Sequence, residues 1–137
     1  MIQDLKPNLA VTLNTYPGCS FSNHRMLKKL KLFDAQIADK IFGRRWENKP
    51  DDMRMQGIFV LEHGKQRNHP HWHGFLSVPE DQLYRYYGLT KSIWARNHWK
   101  AWAEINNKSY ADNAGYILKE VTLDTTDRIV FTNMLRA

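Results

Sequence analysis

The run His69-Pro70-His71-Trp72-His73-Gly74-Phe75-Leu76 sets three imidazoles at alternate positions in a stretch that reads as a β-strand. Alternate residues of a strand project to one face, so His71 and His73 can close on one metal ion from the same side. Neutral imidazole suits several divalent metals, but two imidazoles neither hold nor choose one, and a third ligand is required. Glu62 offers it. This residue ends the apolar run Gly57-Ile58-Phe59-Val60-Leu61, and the polar segment from His63 to Asn68 can turn the chain back, so that a hairpin brings the carboxylate beside the histidines. Two nitrogens and one oxygen leave coordination positions open, as a catalytic metal requires.

The other histidines carry less. A lone histidine is usually a surface or hydrogen-bonded residue, which is the expectation for His24, His63 and His98. His69 shares the parity of the pair, but Pro70 follows it, and proline is confined to strand starts, edges and bulges, so His69 belongs to the loop leading in.

The elements that must position this cluster come from a chain of 137 residues, 42% hydrophobic, the size of one domain with a real core. Residues 10–15 are rich in β-branched side chains and are stopped by Pro17-Gly18, which predicts a first strand. From Ser22 the period changes: Met26, Leu30, Phe33, Ile37 and Ile41 recur every three or four residues between charged positions, which predicts an amphipathic helix capped by Ser20 or Ser22 and ending near Gly43. A polar loop follows, then strands over 57–62 and 71–78. Residues 80–98 read as helical with an interruption at Gly88. Residues 99–105 alternate as a fourth strand, 109–121 form a short helix, and 128–132 give a last strand. This order describes an α+β fold, an antiparallel sheet of about five strands flanked by helices.

The net charge of +6 favours a polyanionic partner, and the basic residues are interleaved with 5 Trp, 6 Tyr and 6 Phe, a mixture suited to phosphate contact and base stacking. Lys65, Arg67, Arg85, Lys91, Arg96 and Lys100 are candidates to line a strand's path, with Trp94, Trp99 or Trp102 as stacking surfaces, although a tryptophan more often packs in a core. The single cysteine, Cys19, excludes an internal disulfide and four-cysteine zinc modules and fits a reducing compartment. Apolar runs are too short to span a membrane, and the first residues lack the apolar core of a signal peptide.

A second chemical element lies in the short helix. In Tyr116-Ile117-Leu118-Lys119 the phenol and the ammonium share a helix face, with Asn113 one turn earlier. Tyr-x-x-Lys alone is a weak signal, and its value depends on the histidine cluster. A tyrosine with pKa about 10 is only about 0.1% phenolate at neutral pH, so its use as a nucleophile needs a nearby cation and a metal to polarise the group attacked.

Taken in order, Ala10-Val11-Thr12-Leu13-Asn14, His71-Trp72-His73 and Tyr116-Ile117-Leu118-Lys119 resemble the three motifs of the HUH endonucleases, in particular the single-tyrosine initiators of rolling-circle replication. The motifs span residues 10 to 119, and a single tyrosine placed after the metal motif is an order usually reversed in relaxases. The resemblance implies a ferredoxin- or RRM-like fold, a Mg or Mn ion on His71, His73 and Glu62, attack on a DNA phosphate by Tyr116, and assistance by Lys119. Because His63 adjoins Glu62, which of them completes the metal site stays open. The implied reaction nicks single-stranded DNA, with an origin hairpin as one form of target, leaves a 5′-phosphotyrosine link and a free 3′ hydroxyl, and reverses without a nucleotide cofactor. Such a protein would be intracellular, in a prokaryotic cytoplasm or in the nucleus of a virus-infected host. No Gly-x-x-x-x-Gly-Lys-Ser/Thr loop occurs, so helicase activity would come from a partner or a further domain. Within the family a transposase or relaxase role is the alternative to replication initiation, and two rivals follow from the same residues: a single-strand-binding module without catalysis, and a metal-dependent hydrolase that activates water and has no use for Tyr116.

Overall fold

In the computed structural model, which describes residues 7–16, 18–50, 55–63, 69–97, 100–106, 129–132 and 135, Leu9, Val11 and Leu13 are buried on one side of the first strand while Ala10 and Thr12 stand on the other. That alternation is the period of a strand with one face on a core. This strand, β1 (Leu9–Asn14), is followed by α1 (Asn23–Phe42), a 3-10 turn, β2 (Gln56–His63), β3 (Pro70–Ser77), a second 3-10 turn, α2 (Leu83–Asn97), β4 (Trp102–Asn106) and β5 (Ile129–Phe131). The expected helix over 109–121 lies outside the described residues.

The sheet order is β4-β1-β3-β2-β5, with every neighbouring pair antiparallel. β1 and β2 therefore run parallel with β3 between them, and β3 and β4 run parallel with β1 between them. These are two interlocked split βαβ units, the ferredoxin-like arrangement, extended at one edge by β5. The α+β fold with a five-stranded antiparallel sheet is thus as the sequence predicts.

Both helices pack on the same sheet face. Met26, Leu30, Phe33, Ile37 and Ile41 of α1 and Tyr86, Ile93 and Trp94 of α2 join Leu9, Val11, Leu13, Phe59, Leu61, Trp72 and Leu76 in one buried cluster. Each such side chain contributes roughly 1.5–3 kcal/mol of burial, which offsets the ordering of the chain. Two indoles fasten helix to strand by donating to main-chain carbonyls: Trp72 Nε1 to Met26 O at 3.1 Å, and Trp94 Nε1 to Asn14 O at 2.8 Å. The first links α1 to β3 and the second α2 to β1. The opposite sheet face carries a smaller apolar cluster of Ile58, Val60 and Phe75.

Local signals account for most boundaries. Ser22 caps α1, accepting from the Arg25 N–H at 3.1 Å, and Gly43 ends it at φ 90°, a conformation that glycine adopts without a Cβ clash. Two expectations are corrected. α2 runs through Gly88 without interruption, because Tyr86, Thr90, Ile93 and Trp94 bury one continuous stripe, which outweighs the roughly 1 kcal/mol by which glycine disfavours a helix. The fourth strand begins at Trp102 rather than 99, because Lys100 has φ 55° and cannot be part of an extended strand.

Candidate metal centre

Side chains on the face away from the helices follow from the register. Glu62 of β2 is paired with His71 of β3, and His71 in turn with Asn14 of β1; one step along, Val60, His73 and Thr12 form the next row. The hairpin predicted from the sequence therefore forms with Glu62 and His71 directly opposed and His73 two residues along the same face. Glu62 Oε2 is 3.0 Å from His73 Nε2 and 3.5 Å from His71 Nε2. One ligand atom from each of the three residues lies within 4.8 Å of the other two, a grouping able to hold a metal ion.

His63, the other candidate for third ligand, is excluded by parity. As Glu62's neighbour on β2 it points to the opposite face, and its Nε2 lies 3.1 Å from Asn23 Oδ1 at the start of α1. His69 lies just before β3, in the loop as expected, and is not in the metal-competent group.

The outer nitrogens of both rings are engaged. His73 Nδ1 is 3.3 Å from the Thr12 hydroxyl, and His71 Nδ1 is 3.4 Å from the carbonyl of His69. A carbonyl only accepts, so this contact places a proton on His71 Nδ1 and turns Nε2 toward Glu62, the edge from which a metal would be bound; the Thr12 hydroxyl can donate or accept, and so serves His73 in either tautomer. Hydrogen bonding from His71 and then His73 holds the Glu62 carboxyl well below the usual carboxylate range, against the opposing effect of burial. Glu62 is thereby an anion across the physiological range. Its side chain and that of His73 are each 31% exposed, so the group is open on one side to a ligand from solution.

The donor set fits a divalent ion with both nitrogen and oxygen preference. Three protein donors would leave positions on such an ion for other ligands.

Other expected site residues divide between those in view and those outside it. Tyr116, Lys119 and Asn113, with Lys65, Arg67, His98 and Trp99, lie outside the described residues. Arg85, Lys91 and Arg96 are exposed on α2, on the far side of the sheet from Glu62 and the histidines, so they do not line a path to that site. Trp94 is fully buried and packs edge-on against Phe33 at 5.8 Å; it is a core residue and not a stacking surface. Nothing in the local sequence singles out Thr12 as a site residue. Its polarity between Val11 and Leu13 marks it as facing away from the core, but its partnership with His73 depends on which strand lies beside β1.

Comparison with protein-family profiles, curated proteins and solved structures finds no match to this chain. Among the described residues no helix is long and apolar enough to cross a membrane.

Proposed function

We propose that this domain nicks and rejoins single-stranded DNA by metal-dependent transesterification, with Tyr116 as nucleophile, as a replication initiator of the HUH endonuclease type. The supporting observation is the convergence of Glu62, His71 and His73 on one partly open site of an antiparallel sheet, in a chain of net charge +6. The roles of Tyr116 and Lys119 rest on the order of the sequence motifs.

Glu62, His71 and His73 would hold a Mg or Mn ion, which when bound would supply Lewis-acid polarisation of a scissile phosphate. Glu62, anionic in the folded protein, would contribute the charge that retains such a cation, and His71 and His73 would orient their ring nitrogens toward it. Tyr116 gives up its phenolic proton to solvent, and its oxygen forms a bond to phosphorus. The bond from phosphorus to the 3′ oxygen breaks, and that oxygen takes up a proton to become a free 3′ hydroxyl. The 5′-phosphotyrosine link conserves the bond energy, so attack by a 3′ hydroxyl reverses the reaction. Lys119, three residues on, favours the phenolate by its charge. Strand separation at a duplex origin falls to a helicase partner or a further domain.

The test is incubation with a pool of labelled single-stranded DNA and Mn, with and without EDTA, followed by denaturing electrophoresis. A covalent protein-DNA adduct that needs both metal and Tyr116 is expected, and Tyr116→Phe should abolish it. Cutting without an adduct, undiminished in Tyr116→Phe, would instead identify a hydrolase that activates water. Binding without cutting in any metal would identify a binding module.

A further inference from the structure

One row of paired residues crosses the sheet from β4 to the metal centre: Trp102, Asn14, His71, Glu62. Its outer half has no role in holding a metal. Trp102 is 45% exposed, whereas Trp46, Trp72 and Trp94 are buried. The other exposed large apolar side chains among the described residues, Leu32 and Tyr84, are on the helices. Trp102 is thus an open aromatic surface on the metal's side of the sheet, two strand spacings or about 10 Å from the His71 backbone.

Between Trp102 and His71 stands Asn14. Its main-chain carbonyl accepts from the Trp94 indole, but its side chain, only 5% exposed, has a buried Nδ2 with no hydrogen-bond partner among the described residues. A sheltered amide donor without an acceptor is unfavourable in the free protein, and a ligand oxygen would satisfy it. The next row pairs Glu104 with Thr12 on the same sheet face.

We propose that Trp102 and Asn14 form a nucleotide subsite next to the metal centre, in which the indole stacks a base of single-stranded DNA and the Asn14 amide donates to a phosphate oxygen of the same strand. This rests on the DNA-nicking function proposed above and names the residues that would position the strand. Both are positioning residues: neither touches the bond that breaks.

The two halves make separable predictions. Binding of a fluorescein-labelled oligothymidylate of about twelve nucleotides, followed by anisotropy in Mn, is expected to weaken about ten- to a hundredfold in Trp102→Ala and to be largely retained in Trp102→Phe. An abasic strand of the same length should bind wild type and Trp102→Ala alike. Asn14→Leu removes the orphaned donor, so its melting temperature should be unchanged or raised and its Mn affinity kept within about twofold, while binding of both strands weakens about tenfold. That combination separates a ligand contact from a structural one. If wild type binds and nicks DNA but Trp102→Ala binds as tightly, the stacking half is overturned and the nicking function stands. Unchanged binding by Asn14→Leu overturns the phosphate half in the same way. If wild type takes up Mn but no strand, the DNA function falls and the subsite with it.

Discussion

Thr12 and His73 are directly paired across β1 and β3, and the Thr12 hydroxyl lies 3.3 Å from His73 Nδ1, on the ring edge opposite Glu62. The hydroxyl fixes the orientation of a ring whose other nitrogen is directed at the carboxylate. Groups of this kind tune a metal site without touching the metal. Thr12→Val keeps the shape and the strand preference but loses the hydrogen bond, and it is expected to weaken Mn binding about tenfold with little change in melting temperature. Thr12→Ser should recover most of the affinity. Calorimetric titration of the three proteins checks this, and equal affinities would show that the hydroxyl does not hold the ring.

The metal preference follows from the donors. Mg prefers oxygen ligands and gives up its waters reluctantly, whereas two imidazoles suit Mn and the later divalent metals better. Mn should therefore bind at least about tenfold more tightly than Mg, and His71→Ala or His73→Ala should remove most of that difference. Because protons compete with the ion for the ligating nitrogens, affinity should decline on acidification. Equal Mg and Mn affinities, insensitive to either histidine, would mean that the ion sits elsewhere.

Glu62 also gives the metal-free protein a pH signature. Its folded-state pKa is depressed from the ordinary 4.5, principally by hydrogen bonding from His71 and then His73. A depressed carboxylate pKa stabilises the fold fully above the unfolded value and loses that contribution as pH falls toward the folded value. In EDTA, the stability of wild type relative to Glu62→Gln should shrink as pH is lowered from about 5 to about 3. Urea titrations at several pH values measure it. A gap that widens on acidification would reverse the assigned sign.

Much of this arrangement was legible because it depends on period-two parity. His71 and His73 share a face whatever the rest of the chain does, and Glu62 reaches them once the polar segment after it closes a hairpin. The choice of Glu62 over His63 needed the register, since the two neighbours on β2 point to opposite faces. Thr12 and Asn14 required the strand order as well: their pairing with His73 and His71 spans more than fifty residues of sequence, and no local pattern encodes that β1 lies beside β3. The late start of β4 turns on the positive φ at Lys100, to which alternation of side-chain type is blind. The nucleophile motif stands apart, because Tyr116 and Lys119 lie outside the described residues and are known only by spacing.

Gly74 connects the core to the metal centre. It follows His73 on β3 and faces the helix layer, where an added Cβ would come within 2.5 Å of Phe59 Cε1 and 2.8 Å of Val11 Cγ1. Phe59 is itself packed edge-on against Trp72, at 6.4 Å between ring centroids, and Trp72 is tied to α1 by its indole N–H. The Phe59 ring is hemmed in on the Trp72 side, so relief requires it or β3 itself to shift. Gly74→Ala should consequently destabilise the fold by about 1–3 kcal/mol, the usual range for overpacking a core. It should also weaken Mn binding, because any displacement of β3 moves His71 and His73 relative to Glu62. Gly88→Ala is the matched control: an added Cβ there meets no atom within 4 Å, and the change should stabilise α2 by up to about 1 kcal/mol while leaving metal affinity alone. Thermal melts and Mn titrations on both variants test the connection. If Gly74→Ala lowers stability but leaves the Mn affinity unchanged, the metal centre is insulated from the packing beneath it.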